Sequence, residues 1–169
     1  LLVSSIATMV LIYSPASVAK EIRPGRGHLY YCMYILCLTG LLGIAITGDA
    51  FNVFVFLEVS SLSSYALIAM GGQRKALTAA FQYLVMGTIG ATFFLIGVGL
   101  LYMMTGTLNM ADLAKRIPEI QDSRPVLAAF AFITVGLALK AALFPLHLWL
   151  PNAYAYAPSG VSAFMAATA

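Results

Sequence analysis

The sequence predicts an all-α fold, a polytopic transmembrane helix bundle. Of its 169 residues, 62% are apolar or aromatic and 9% are charged, and the mean hydropathy is +0.94. Because a soluble domain carries about 25% charged residues, this composition excludes a soluble domain and a disordered tail. In addition, five apolar runs approach the length of about 20 residues that an α-helix needs to cross a bilayer.

The elements follow from these runs, taken in chain order. The fourth run has about 30 residues and must tilt or protrude. Pro145 lacks the N–H that would bond to the carbonyl of Ala141, so we expect the fifth helix to break there. We therefore predict one transmembrane domain and an internal part of a longer protein, with helices over about 1–19, 29–47, 51–71, 76–105 and 126–143 and another beginning near Ser159.

The loops between the runs differ in length and in charge. Residues 108–117 alternate apolar and charged side chains, which predicts a short interfacial helix ended by Pro118. Loops 20–28 and 72–75 together carry five basic residues, against three on the other side. The excess of positive charge predicts that loops 20–28 and 72–75 are cytoplasmic.

Several function classes are disfavoured by the same residues. The basic residues form no continuous stripe, so we expect no nucleic-acid partner. Cys32 and Cys37 are five apart, which suits neither a metal site nor a redox pair. There is no GxGxxG motif and no cysteine cluster, so we expect no metal, no NAD, flavin or iron–sulfur cofactor, and no catalytic site in the enzymatic sense.

Two charged residues, Glu58 and Lys140, lie well inside apolar runs. Each costs roughly 2.5–3.5 kcal/mol at mid-helix on insertion scales. Such residues commonly mark a proton or ion path. The alternatives are a buried ion pair that only sets helix register, or a lysine that extends to the interface.

Polar neighbours extend this candidate site. Ser61 and Tyr65 share a helix face with Glu58 and could hold a water against its carboxylate. The alternative for the serines is bonding to backbone carbonyls of their own helix. His147 follows Pro145 by two residues and is a candidate proton-handling group, although lone histidines are more often packing groups.

Helical rise gives the expected depth of the two charges. Glu58 lies roughly 10 Å from the start of its helix, and Lys140 roughly 21 Å from the start of its own. A lysine stem and one bridging water would close part of the difference. Helix ends vary by one or two residues with the way they are assigned, and the expected depths permit contact between the two charges without requiring it.

The segments FLEVSSLSSYALIAMG (56–71) and GLALKAALFPLHLWLPNAYAYAPSGVSAF (136–164) resemble the antiporter-like membrane subunits shared by respiratory complex I and the Mrp-type multisubunit Na⁺/H⁺ antiporters. GDAFNVFVF (48–56) is more similar to the D subunit of the Mrp antiporters. The resemblance implies two inverted five-helix repeats, of which this chain would be most of the first. Glu58 matches the family's essential glutamate and Lys140 its central lysine, while Asn152 and Tyr154 stand where many relatives carry Asp and His.

The resemblance also implies a function. We expect a proton-translocating subunit of a Na⁺ (or K⁺)/H⁺ antiporter in the inner (plasma) membrane, surrounded by lipid and by other membrane subunits. The alternative is a proton-pumping subunit of an NADH:quinone oxidoreductase or a related membrane-bound hydrogenase. At about 4 Å and an effective dielectric of about 20, Glu58 would attract Lys140 by about 4 kcal/mol. Glu58 would then modulate the site and Lys140 would carry the proton.

Overall fold

The bundle, a computed structural model, is described for residues 1–168, and within that range every regular element is α-helical. The first four helices are long. They are α1 (Leu2–Glu21), α2 (Gly27–Ile46), α3 (Ala50–Ala69) and α4 (Arg74–Thr105), followed by α5 (Met110–Ile120), α6 (Arg124–Lys140), α7 (Trp149–Tyr156) and α8 (Ser159–Thr168). The predicted all-α bundle is therefore confirmed.

Helices α1 to α4 are each long and apolar enough to cross a membrane. The 32 residues of α4 span about 48 Å, more than the hydrocarbon thickness of about 30 Å, as its length predicts. The 17 residues of α6 span about 26 Å, slightly less than that thickness. The chain beyond α6 is irregular until α7 begins.

The structure moves two predicted boundaries. The fifth helix ends at Lys140 rather than at 143, because Ala142 adopts a left-handed φ of 50° that cannot continue a helix. The interfacial helix runs past Pro118 to Ile120. Pro118 lies in its last turn, where only one intrahelical N–H is missing. The short helix α7 had no separate prediction.

Helix α4 is the centre of the bundle. It packs against α3 on one side and α6 on another, α2 packs against α3, and α1 contacts α8 and α2.

We call the end with loops 22–26 and 70–73 the basic end and the other the α5 end. One apolar core, with Tyr30, Leu67, Tyr83 and Trp149, fills the basic end, and a second, with Ala50, Val98 and Val126, fills the α5 end.

Candidate functional site

Glu58 is placed by a well-defined start of α3. Asp49 is the N-cap, and its side chain accepts hydrogen bonds of 2.9 Å from the backbone N–H groups of Phe51 and Asn52. Such a cap satisfies amide donors that have no partner within the helix. Glu58 follows just over two turns later, between the two apolar cores.

Lys140 is the last residue of α6, where the helix breaks. At the C-terminal end of α6, the Ala141 N–H donates a hydrogen bond to the Leu137 carbonyl. The indole Nε1 of Trp149, at the start of α7, donates to the Leu139 carbonyl at 3.1 Å. That bond gives the Leu139 carbonyl a second donor besides the Ala142 N–H, whose nitrogen lies 3.3 Å from the same oxygen. The broken helix predicted from Pro145 is thus present, with a tryptophan holding its two halves together.

The two intramembrane charges meet. The Lys140 Nζ donates to Glu58 Oε1 at 3.1 Å and to the Ser61 hydroxyl at 2.7 Å, and the side chains are 10% and 21% exposed for Lys140 and Glu58. Helix side chains tilt toward the helix N-terminus, so the lysine stem extends back along α6 and shortens the expected difference in depth. The expected depths allowed for a bridging water between Lys140 and Glu58, whereas the two side chains bond directly.

Glycines on α4 let α3 and α6 approach. A Cβ at Gly87 would collide with the Tyr65 hydroxyl of α3, and one at Gly90 would lie 3.1 Å from the Gly136 carbonyl of α6 and 3.7 Å from Lys140 Cγ. Small residues permit this close backbone packing in membrane bundles. Gly87 and Gly90 are about one turn apart on α4. They therefore let α3, which carries Glu58, and α6, which carries Lys140, pack against α4 at the same level of the bundle.

The serines of α3 divide into two kinds. Ser60, Ser63 and Ser64 donate to backbone carbonyls of their own helix, as the alternative interpretation predicted. Ser61 instead faces Lys140. The Tyr65 hydroxyl is buried without a hydrogen-bond partner in the described chain, and its ring lies edge-on to Tyr83 with centroids 4.6 Å apart.

His147 lies in the irregular segment between α6 and α7 and is not bonded to the charge pair. Its Nδ1 is buried without a hydrogen-bond partner among residues 1–168, and its ring centroid lies 5.6 Å from that of Phe144. The structure therefore joins Glu58, Ser61 and Lys140 directly and leaves His147 outside their contacts.

The structure adds Tyr83 and Trp149, which the sequence did not single out, and places Tyr154 beside Lys140. A cavity of about 100 Å³ beside Lys140 is lined by Tyr83, Trp149 and Tyr154 as well as by apolar side chains. Tyr83 and Trp149 stack with centroids 4.0 Å apart. Asn152 donates instead to exposed Gln82 and does not line this cavity. Tyr83 precedes the break by more than fifty residues, so spacing alone carried no signal for it.

A polytopic helix bundle with a partly buried Glu–Lys pair at a broken helix has the general layout of an integral membrane protein with an ionisable site at a helix break. The chain belongs to the family described as "NADH:quinone oxidoreductase/Mrp antiporter, TM", whose sequence pattern matches residues 47–169. The family predicted from the FPLHxWLP region is thus confirmed.

Two curated relatives come from different complexes. NADH-quinone oxidoreductase subunit N of Desulforudis audaxviator is 56% identical over 144 residues, which are 85% of this chain and 28% of the relative. The D subunit of the Na(+)/H(+) antiporter of Alkalihalophilus pseudofirmus is 34% identical over 163 residues, 96% of this chain and 32% of the relative. The chain thus spans less than a third of the length of these relatives.

A solved structure is also similar. A chain in the membrane-bound sulfane sulfur reductase, an archaeal respiratory membrane complex, matches with a TM-score of 0.87 and 40% identity, covering 96% of this chain and 32% of that chain. Together these findings make the protein a multi-pass, antiporter-like membrane subunit.

Proposed function

We propose that the chain carries a proton-translocating site of a multisubunit Na⁺/H⁺ antiporter, with Lys140 as proton carrier and Glu58 as its modulator. The observation that supports this most is the lysine ammonium bonded to Glu58 and Ser61 at the end of a broken helix. A pair that only fixed helix register would not need an interrupted helix and a cavity beside the lysine.

The proposed mechanism depends on the charge of Glu58. At 3.1 Å and an effective dielectric of about 20, the attraction is about 5 kcal/mol. While Glu58 is ionised and in contact, this attraction keeps the proton on Lys140. When Glu58 moves away or is neutralised, the ammonium loses that stabilisation, and the proton leaves toward the cavity lined by Tyr83 and Tyr154.

His147 is the proposed next proton acceptor. An imidazole ring can both accept and donate a proton, His147 lies in the irregular segment that follows Lys140, and its Nδ1 has no partner within the described residues. Because it is not in contact with the pair, its participation requires water or a movement of the segment between α6 and α7. Ser61 and Tyr65 are proposed to line the path on the α3 side.

A second candidate function has its own support. The 56% identity with a NADH-quinone oxidoreductase subunit and the similarity to a chain of a respiratory membrane complex favour a proton pump driven by redox chemistry in other subunits. In both cases we propose that the partners are further membrane subunits, that protons are translocated, and that the inner (plasma) membrane holds the complex. Only the antiporter also carries Na⁺ or K⁺.

The decisive experiment measures Na⁺- and K⁺-dependent pH changes in vesicles that contain the full-length protein with its partners. Lys140→Ala is expected to abolish proton translocation while the complex still assembles, because the carrier is gone. Glu58→Gln is expected to slow it by at least tenfold, because the amide keeps a hydrogen-bond acceptor without the charge. Lys115→Ala, in the exposed interfacial helix, is the matched control.

The outcomes separate the alternatives. Normal transport by Lys140→Ala would disprove the proposed site. A pH change that requires an electron donor and quinone, and not Na⁺ or K⁺, together with co-purifying redox subunits, would establish the second candidate. His147→Gln should slow transport while His28→Gln, at an exposed position in the first turn of α2, should not, and equal rates for the two would remove His147 from the path.

A further inference from the structure

Three arginines surround one cavity at the basic end of the bundle. Arg23 and Arg26 come from the loop between α1 and α2, and Arg74 is the first residue of α4. The cavity has a volume of about 430 Å³ and is completed by the α3–α4 loop, including Gln73, and by Leu77. We call this the arginine cavity.

The arginines have no anionic partner in the part of the chain that is described. The ion pairs within residues 1–168 are Arg116–Asp112 and Lys140–Glu58. Glu21, the acid nearest in sequence, is engaged elsewhere, since its carboxylate accepts bonds of 2.6 Å and 2.8 Å from the backbone N–H and hydroxyl of Ser159. Three arginines thus line one concave space and form no ion pair with the described residues.

Two helix N-termini add to the positive potential there. The N-cap residue of α2 is Arg26 and that of α4 is Gln73, and neither makes a side-chain capping bond. The first backbone N–H groups of a helix lack intrahelical acceptors and carry the positive end of the helix dipole. The arginine cavity therefore lies where the N-terminal ends of α2 and α4 meet three charged side chains.

An apolar track leads from the cavity along α4. Arg74, Leu77, Phe81 and Leu84 follow one another at spacings of three and four residues, so they share one helix face. Leu77 is 59% exposed, Phe81 65% and Leu84 37%. A ligand that fits both features has an anionic head for the arginines and hydrocarbon chains for the track.

We propose that the arginine cavity binds the phosphate headgroup of an anionic phospholipid whose acyl chains lie along Leu77, Phe81 and Leu84. Arginine matches phosphate oxygens with two parallel hydrogen bonds, and basic pockets between transmembrane helices bind lipid headgroups in this way. The proposal does not depend on proton translocation, because none of its residues bonds to Glu58 or Lys140.

The test uses the full-length protein with its partner subunits, reconstituted in vesicles of phosphatidylcholine with limiting phosphatidylglycerol. Native mass spectrometry then counts the phosphatidylglycerol that stays bound after extraction. Each basic residue near the surface contributes about fivefold in affinity, so Arg23→Gln/Arg74→Gln is expected to lower retention about 25-fold. Lys115→Gln/Arg124→Gln removes the same charge at the α5 end and should leave retention unchanged.

A second pair of measurements separates a lipid from free phosphate. Leu77→Ala/Phe81→Ala should lower phosphatidylglycerol retention several-fold, because the track contacts the chains. Equal retention in the arginine double variant and its control would overturn the proposal. Inorganic phosphate that displaces all bound lipid, combined with full retention in the Leu77→Ala/Phe81→Ala variant, would also overturn it, since the site would then recognise phosphate alone.

Discussion

At the residue scale, the site depends on one serine that differs from its neighbours. Four serines lie on the α3 segment 60–64, and three of them bond to their own helix backbone. Ser61 bonds to Lys140 at 2.7 Å. A hydrogen bond to a charged group contributes about 1.5–3 kcal/mol to stability. Ser61 therefore stabilises the Lys140 ammonium, which the other three serines do not contact.

Ser61→Ala is therefore expected to slow proton translocation by tenfold or more, because the lysine loses one of its two protein acceptors. Ser63→Ala is the matched control, since Ser63 is equally buried and donates to the Val59 carbonyl. Both rates are measured as the pH change in vesicles containing the full complex. Identical rates for the two variants would show that Ser61 has only a packing role.

At the element scale, packing of α6 on α4 decides whether the pair can form. A Cβ at Gly136 would lie 2.7 Å from the Gly90 carbonyl oxygen and 2.7 Å from the Phe94 backbone nitrogen. Both neighbours belong to helix backbone and cannot rotate away. A side chain at this position must therefore push the two helices apart, and Lys140 is only one turn farther along α6.

Gly136→Ala is expected to destabilise the assembled protein by about 1–3 kcal/mol, the usual cost of overpacking, and to slow transport. Gly99→Ala is the matched control, because that helical glycine has open space around it. Thermal unfolding of the purified complex in detergent measures the stability, and the vesicle assay measures transport. A Gly136→Ala protein as stable and active as Gly99→Ala would contradict the close helix contact.

At the scale of the whole molecule, the bundle has two apolar cores with a polar layer between them. The core at the basic end and the core at the α5 end are separated by the level at which Glu58, Ser61 and Lys140 meet. A charge pair in this position is shielded on both sides from the two surfaces.

Orientation in the membrane is a prediction at this scale, and cysteine labelling tests it. In a background with Cys32 and Cys37 replaced by Ala, His28→Cys is expected to react with a membrane-impermeant maleimide only from the cytoplasmic side. Gln121→Cys, in the loop at the α5 end, should react from the outside. The opposite pattern would show that the excess of basic loop residues does not set the orientation here.

The sequence alone determined the fold class, the approximate spans, the broken helix and the two intramembrane charges, because hydropathy and proline chemistry act locally along the chain. It also carried the family resemblance through the FPLHxWLP segment. These features need no knowledge of which helices are neighbours.

Only the tertiary structure decided which side chains meet. The contact between Glu58 and Lys140 depends on the offset of α3 and α6 along α4, and that offset is fixed by glycine contacts between residues far apart in sequence. The same packing places Ser61, rather than the neighbouring serines, against Lys140. It also leaves His147 outside these contacts and places Tyr83 beside Lys140. Periodicity describes one helix at a time, whereas a site formed by three helices depends on their relative depth and rotation.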